Sequence, residues 1–257
     1  MDTEFKQQII AGLTLETMER LKSRKAVDFE KKNWSRGFTF NSEELKIELD
    51  EMVVEEKIKP FLHTFFCAPI LKDGELVAVA VENKSGRGAI KAKVFVDATG
   101  DGDLCTRLGL PTYTSDFLQP PTTCARFEGW KSLEGTNLSK LLLEHGEEHN
   151  LPEGFAWGAY VPDSEIYMLA GTRVYGADCA NADDLTGAEI EGRRQVRAIM
   201  DIIRKHAPQS NIVLQALPSQ IGIRETRHIQ CQYQLTGDDV LHGRRFDDAI
   251  ANGSYRV

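Results

Sequence analysis

The sequence is poor in cysteine, with five among 257 residues and no Cys-x-x-Cys pair. This spacing excludes a disulfide framework and shows none of the usual zinc or iron–sulfur ligand sets. We therefore expect no metal centre, and we expect the cysteines to be small packing residues in a reducing compartment. The five are Cys67, Cys105, Cys124, Cys179 and Cys231.

Long apolar runs are also absent, since none approaches the roughly 20 residues that cross a bilayer. The first twelve residues lack a basic segment followed by an apolar one, so we expect no secretory signal. The 31 Lys and Arg residues are outnumbered by 39 Asp and Glu, which gives a net charge of −8 and a pI of about 5.4. Because nucleic acids require a concentrated basic surface, these absences predict a cytoplasmic protein that binds neither membranes nor nucleic acids.

The residues that are present fit an ordinary globular chain. Apolar residues make up 41% and charged residues 27% of the composition, and the length suits one or two domains. The sequence has no G-x-S-x-G elbow, P-loop or EF-hand loop. Its function must therefore be sought in less common clusters of residues.

Hydrophobic periodicity changes along the first half of the chain. Asn41, with Glu44 three residues later, predicts a capped helix that Pro60 ends. Residues 61–93 are typical of strands joined by turns. The apolar run at 94–96, followed by Asp97 and Ala98, predicts a strand over 94–98 that is buried on both faces, as in a parallel sheet.

The second half favours a separate middle unit and a return to strands. Thr186 and Glu189 predict the capping box of a long helix that ends near Pro208. The other predicted elements are a helix over 138–149, strands within 155–174, a strand at 212–214 and a helix from Asp238 that 246–251 extend.

Three short clusters are candidates for chemistry. The first, Gly100-Asp-Gly-Asp-Leu-Cys105, follows a predicted strand and approaches the G-x-G-x-x-G turn that cradles phosphates. Cys105 stands where the third glycine belongs, and two aspartates would face a pyrophosphate. Three interpretations stay open: a dinucleotide fingerprint, aspartates that cap a helix, and a different nucleotide contact.

The second cluster, His145-Gly-Glu-Glu-His149, fits the H-x-x-E-H signature of inverted zinc peptidases. On a helix the two histidines share one face, which suits a zinc hydrolase with a third ligand elsewhere. Gly146 and the helix end before Pro152 disfavour that interpretation. A histidine in the last turn of a helix is also explained by the helix dipole alone.

The third cluster, Gly222-Ile-Arg-Glu-Thr-Arg227, places charged side chains beside a glycine that permits close backbone approach. One interpretation is a solvated turn that holds an Arg–Glu pair. The other places Arg224 against an anion or a polarised ring.

Three separated motifs, in this order, resemble a known family. They are Val-Phe-Val-Asp-Ala-Thr-Gly-Asp-Gly-Asp-Leu at 94–104, Thr-Gly-Ala-Glu-Ile-Glu-Gly-Arg-Arg-Gln-Val at 186–196, and the cluster at 222–227 followed by Tyr-Gln-Leu-Thr at 233–236 and Phe-Asp-Asp-Ala-Ile-Ala at 246–251. The chain resembles the FAD-dependent oxidoreductases, specifically the glutathione-reductase-like flavoproteins that are similar to heterodisulfide reductase. The resemblance runs from about Ile9 to the last residue.

The resemblance implies FAD as the cofactor, with hydride or electrons passing through flavin to an unidentified small substrate or electron partner. It also implies an α/β fold of mixed α+β character. This fold is a partial, Rossmann-like FAD-binding domain with a three-stranded β-meander and an inserted substrate domain. We assign 1–111 to the FAD-binding domain, 112–212 to the substrate domain and 213–257 to the return to the first domain.

Site residues follow from the same resemblance. The chain at 98–101 would pass the flavin nucleotide, with Asp101 near the ribitol or pyrophosphate. The segment 222–225 would approach the isoalloxazine ring, where the cation of Arg224 would stabilise the anionic reduced flavin. The candidate cofactor-binding residues are Phe66 and Cys67 near the adenine, Ala98, Thr99, Gly100, Asp101, Gly222 and Ile223; the candidate catalytic residues are Arg224 and Glu225.

One part that the resemblance implies is missing from the sequence. The family opens with a strand, a G-x-G-x-x-G turn, a helix and an acidic ribose-binding residue, and these 257 residues contain none of them. We therefore expect a truncated, C-terminal portion of such an enzyme, paired with a chain that supplies the N-terminal half. A non-catalytic fragment that needs a partner chain is the alternative, and a zinc hydrolase at His145 and His149 is a remote one. The iron–sulfur association of the family name has no ligand set here.

Overall fold

The computed structural model describes residues 8–28, 38–154 and 156–253. Its helices are α1 (Gly12–Ser23), α2 (Ser42–Glu55), α3 (Asp103–Arg107), α4 (Leu138–His145), α5 (Ala182–His206) and α6 (Gly237–Leu241). Its strands are β1 (Val27–Asp28), β2 (Thr39–Phe40), β3 (Phe65–Lys72), β4 (Glu75–Asn83), β5 (Gly86–Lys91), β6 (Thr112–Thr114), β7 (Cys124–Glu128), β8 (Trp157–Tyr160), β9 (Tyr167–Ala170), β10 (Val213–Ala216) and β11 (Arg227–Ile229). Among these residues, no helix is both long and apolar enough to cross a membrane.

The predicted mixed α/β fold and its three-stranded meander are confirmed. β3, β4 and β5 form an antiparallel sheet in sequence order. Asp73 and Gly74 join β3 to β4 with φ of 53° and 85°, the left-handed pair that a two-residue hairpin turn requires. The first strand begins at Phe65, later than the pattern from residue 61 predicts.

The main core lies between the long helix α5 and the four-stranded antiparallel sheet β10-β7-β9-β8. α5 buries an apolar stripe against this sheet because its hydrophobic residues recur at helical spacing. Phe127 of β7 is fully buried in the same cluster, and α4 packs on the helix from the side. The core members on α5 are Val196, Ile199, Met200, Ile202 and Ile203.

Two of the four predicted helix starts are shifted, those of α5 and α6. α5 begins at Ala182 because the Asn181 side chain accepts hydrogen bonds from the N–H groups of Asp183 and Asp184. Thr186 lies inside the helix, where its hydroxyl donates to the Ala182 carbonyl, so the capping box predicted there is wrong. Thr236 forms a capping box with Asp239 at the start of α6.

The ends of two helices also differ from expectation. α2 has the expected N-cap, since Asn41 accepts from the Glu43 N–H, but the helix ends at Glu55, before Pro60. α6 ends at Leu241 and Gly243 follows with φ of 59°, so the predicted extension over 246–251 is wrong.

The predicted buried strand at 94–98 is not present. The side chains of Val94 and Val96 are 76% and 83% exposed. Every strand pair in the described part of the chain is antiparallel, and none includes these residues. Val94 and Val96 are exposed because the described part of the chain offers no neighbouring strand that would cover them.

Three long-range pairings bring the end of the chain back to its middle. β11 pairs with β6, and a bridge joins Thr122 to Gly222. β10 pairs with β7 in the main sheet. The division at residues 111 and 212 stays a prediction.

Candidate functional site

The turn over residues 97–103 is organised by the Asp97 carboxylate. It accepts hydrogen bonds from the N–H and hydroxyl of Thr99, at 3.2 and 2.8 Å, and from the Cys105 N–H at 3.0 Å. The Thr99 hydroxyl in turn accepts from the Asp103 N–H at 3.0 Å. Burial on its own would raise the pKa of Asp97, but the bonds from Cys105 and Thr99 outweigh it and the pKa is lowered. An ionised Asp97 therefore holds the turn against α3.

The backbone between these anchors has unused donors. Gly100 and Gly102 have φ of 86° and 64°, and a Cβ on Gly102 would clash with the side chain of Ile229. Both a left-handed backbone and a close approach therefore require glycine at 102. Within the described residues, the N–H groups of Gly100, Asp101 and Gly102 donate no hydrogen bond. Successive free N–H groups in a glycine-containing turn can bind an anion.

The third cluster contacts this turn directly. The Thr226 hydroxyl donates to Asp101 Oδ1 at 2.6 Å, and Arg227 Nε donates to the Asp101 carbonyl at 2.8 Å. The guanidinium of Arg227 also forms an ion pair with Asp103. Two clusters that sequence analysis assigned to different parts of one cofactor are thus joined by hydrogen bonds.

Gly222 to Arg224 form the neighbouring part of the cluster. Gly222 exchanges two backbone hydrogen bonds with Thr122, of 2.9 and 3.0 Å. Arg224 Nε donates to the Thr122 hydroxyl at 3.4 Å, while the residue is otherwise exposed. Burial raises the pKa of the Cys124 thiol, and the charge of Arg224 opposes that rise. Ile223 packs against an apolar cluster that contains Val174, Cys179, Ala188 and Ile221.

Glu225 is fully engaged by its neighbours. Its carboxylate accepts from the Ser115 hydroxyl at 2.6 Å and the Gln119 N–H at 3.1 Å, and lies 3.0 Å from His228 Nε2. The bonds from Ser115 and His228, followed by that from Gln119, lower the pKa of Glu225 to about 2. An ionised carboxylate with these partners is better suited to holding the loop beside Arg224 than to transferring a proton.

Phe66 and Cys67 reach the turn through one side chain of α3. Arg107 donates to the Cys67 carbonyl at 2.9 Å, and its guanidinium lies 5.7 Å from the Phe66 ring centroid. The meander is thereby attached to the helix that follows the 97–103 turn. The contact of Phe66 and Cys67 with the adenine stays a prediction.

The two histidines of the second cluster do not share one helical face. α4 ends at His145, and His149 follows in a separate short 3₁₀ helix. The His145 ring instead stacks on His206 of α5, with centroids 3.6 Å apart. Among the described residues, no group of three or more acidic, histidine or cysteine side chains could hold a metal ion. The geometry therefore gives the zinc hydrolase interpretation no support.

Sequence analysis missed Thr226, Arg227 and Arg107 as parts of the site. Thr226 and Arg227 belong to a cluster whose charge density was noticed, but their partners lie 124 to 126 residues away. Such long-range partners follow from the pairing of β6 with β11, which no local pattern predicts.

Comparison with known proteins decides the family. The sequence matches the FAD dependent oxidoreductase family over residues 1–257. The chain belongs to that family. The resemblance seen in its motifs is confirmed, as is FAD as the cofactor of that family.

Two further comparisons accompany that match. A search of curated proteins finds no match to this sequence. A solved structure of the flavin-dependent brominase Bmp2, a triple mutant, is similar with a TM-score of 0.41 and 13% identity. That alignment covers 70% of this chain and 46% of the brominase chain, so this chain spans less than half of that protein.

The chemistry of the 97–103 turn fits part of FAD. Free N–H groups at 100–102 suit phosphate oxygens, and a carboxylate at Asp101 suits a sugar or ribitol hydroxyl. The carboxylate of Asp103, which would otherwise repel a phosphate, is paired with Arg227. The sites that these residues would provide are therefore compatible with the cofactor of the family.

Proposed function

We propose that this chain holds FAD between the 97–103 turn and the 222–225 segment, and that the bound flavin passes hydride or electrons to a small substrate or a redox partner. The observation that carries the proposal is the pair of hydrogen bonds to Asp101 of the turn. Their donors, Thr226 and Arg227, directly follow the 222–225 segment. These bonds bring together two of the three clusters that sequence analysis had singled out independently.

Each segment has a distinct task in this proposal. The turn binds the nucleotide through backbone N–H groups and Asp101. Arg224, which presents an exposed cation beside Thr122, stabilises negative charge on the ring. Bound FAD supplies the two-electron chemistry, while Glu225 fixes the loop that carries Arg224.

The proposal includes a second polypeptide segment that carries the phosphate-binding glycine turn. The sequence has no G-x-G-x-x-G turn, and Val94 and Val96 are exposed immediately before Asp97. An apolar, β-branched run suits a strand that pairs with a partner strand. We place that segment beside residues 94–96, next to the turn that it would complete.

An FAD titration tests the proposed function. Purified chain, alone and mixed with a strand–G-x-G-x-x-G–helix half from a flavoprotein of this family, is titrated with FAD and monitored by flavin absorbance and fluorescence. We expect Asp101→Ala to weaken binding by about tenfold or more, because a hydrogen bond to a charged group contributes ~1.5–3 kcal/mol. The matched control is Asp201→Ala on the exposed side of α5, which we expect to bind FAD normally.

The titration also separates the alternatives. Flavin binding by neither preparation contradicts the proposal and favours the non-catalytic fragment. Equal FAD affinities of the native and Asp101→Ala chains would show that FAD does not bind at the 97–103 turn. Circular dichroism of each variant shows whether a lost affinity reflects a lost fold.

A further inference from the structure

Two side chains outside the predicted site contact the 97–103 turn from a distant part of the sequence. Thr226 is buried, and its hydroxyl is the donor to Asp101 Oδ1 at 2.6 Å. Arg227 makes two contacts at once, to the carbonyl of Asp101 and to the carboxylate of Asp103. Together they contact Asp101 and Asp103, two of the three aspartates of the turn.

The two aspartates present an electrostatic problem for a phosphate ligand. Asp101 and Asp103 lie on either side of Gly102, in the same stretch as the free N–H groups at 100–102. An unpaired carboxylate beside a pyrophosphate would repel it. Arg227 removes much of that repulsion because it pairs with Asp103, and the hydrogen bond from Thr226 fixes the orientation of Asp101.

We propose that Thr226 and Arg227 are positioning residues for FAD: Thr226 orients the Asp101 carboxylate, and Arg227 fixes the turn and neutralises Asp103. Neither residue needs to touch the cofactor. The inference rests on the proposed function, since it concerns the affinity of the same turn for the same cofactor. It extends the site to residues that act through Asp101 and Asp103.

A pair of substitutions at Thr226 separates hydrogen bonding from packing. Thr226→Ser keeps the hydroxyl and removes a methyl group, whereas Thr226→Val keeps the shape and removes the hydroxyl. We expect Thr226→Ser to bind FAD with nearly native affinity and Thr226→Val to bind about tenfold more weakly. A residue that served packing alone would give the opposite order.

Substitutions at Arg227 test the electrostatic role. Arg227→Lys keeps the charge but not the two-point contact, and Arg227→Met removes both. We expect FAD affinity to fall from the native chain to Arg227→Lys and again to Arg227→Met. The native chain should bind FAD at least about tenfold more tightly than Arg227→Met. Added salt should partly restore the affinity of Arg227→Met relative to the native chain, because it screens the repulsion from Asp103.

Arg244→Met is the matched control. Arg244 also forms an ion pair with an aspartate, Asp239, and the substitution makes the same change in charge. Its described contacts are with Asp239, Tyr233 and Phe246, outside the 97–103 turn. We expect it to leave FAD affinity and its salt dependence unchanged.

The measurement is the dissociation constant for FAD of the full chain, in whichever preparation of the preceding titration binds it. Native affinity in both Thr226→Val and Arg227→Met overturns the inference and leaves the proposed function standing. Failure of the native chain to bind FAD in either preparation overturns both the inference and the proposed function. If Arg227→Met does not fold, Arg227→Lys provides the test. We expect it to bind FAD more weakly than the native chain. Equal affinity would overturn the role of Arg227.

Discussion

The Glu225 carboxylate joins its own segment to residues 115–119, and this makes the site sensitive to acid. Its pKa falls from about 4.5 to about 2 through the bonds from Ser115, His228 and Gln119. A folded pKa below the unfolded one stabilises the protein fully above pH 4.5, and the stabilisation is lost as the pH falls towards 2. We expect Glu225→Gln to lower the free energy of unfolding at neutral pH and to flatten its decline between about pH 5 and pH 2.

Urea unfolding at a series of pH values measures this effect. Glu153→Gln, at an exposed glutamate, serves as the control and should follow the native pH profile. Parallel profiles for Glu225→Gln and the native chain would show that the Glu225 carboxylate does not stabilise the fold.

At the scale of the element, α5 offers a comparison of two identical substitutions. Ile202 is completely buried against the main sheet, whereas Ile190 on the same helix is 64% exposed. We expect Ile202→Ala to reduce the free energy of unfolding by ~2–5 kcal/mol, because it leaves a cavity in the core. Ile190→Ala should change it by no more than about 0.5 kcal/mol. Denaturant unfolding measures both, and equal losses would contradict the packing of α5 described above.

The sequence predicts elements well where their signals are local. The meander and the cap at Asn41 follow from alternation, turn residues and a side-chain acceptor two positions from its donor. The start of α5 was misplaced because two competing caps, Asn181 and Thr186, lie five positions apart and both suit a helix start. Local patterns do not say which acceptor the backbone uses.

The candidate site was predictable only in part. The Gly100 and Gly222 clusters were recognisable from glycine and charge, and the fold joins them. The roles of Thr226, Arg227 and Glu225 depend on partners such as Ser115 and Asp101, which are more than a hundred positions away. The exposure of Val94 and Val96 was also unpredictable, since an apolar run indicates burial without indicating which surface covers it.

At the scale of the whole molecule, the exposed valines before the site have a measurable consequence. We expect Val94→Thr combined with Val96→Thr to change the free energy of unfolding by less than about 1 kcal/mol, because both side chains already contact water. The same change should weaken binding to the supplied glycine-turn half, since threonine keeps the β-branched shape and lowers the apolar area.

Sedimentation or a labelled binding assay measures that association. A matched control is Leu13→Thr, which alters an equally exposed apolar residue on α1. Unchanged binding by the double variant would contradict the placement of the partner segment beside residues 94–96.

The bond between Thr226 and Asp101 spans 125 positions, and this governs when the site can form. Closing so long a loop costs conformational entropy, which the folding of the intervening α5 and its sheet must first offset. On the ribosome, the 97–103 turn emerges well before the side chains that fix it. We therefore expect the turn to gain its contacts with Thr226 and Arg227 late in the folding of each new chain, and we expect a cut in the middle of the unfolded chain to separate the turn from these two residues.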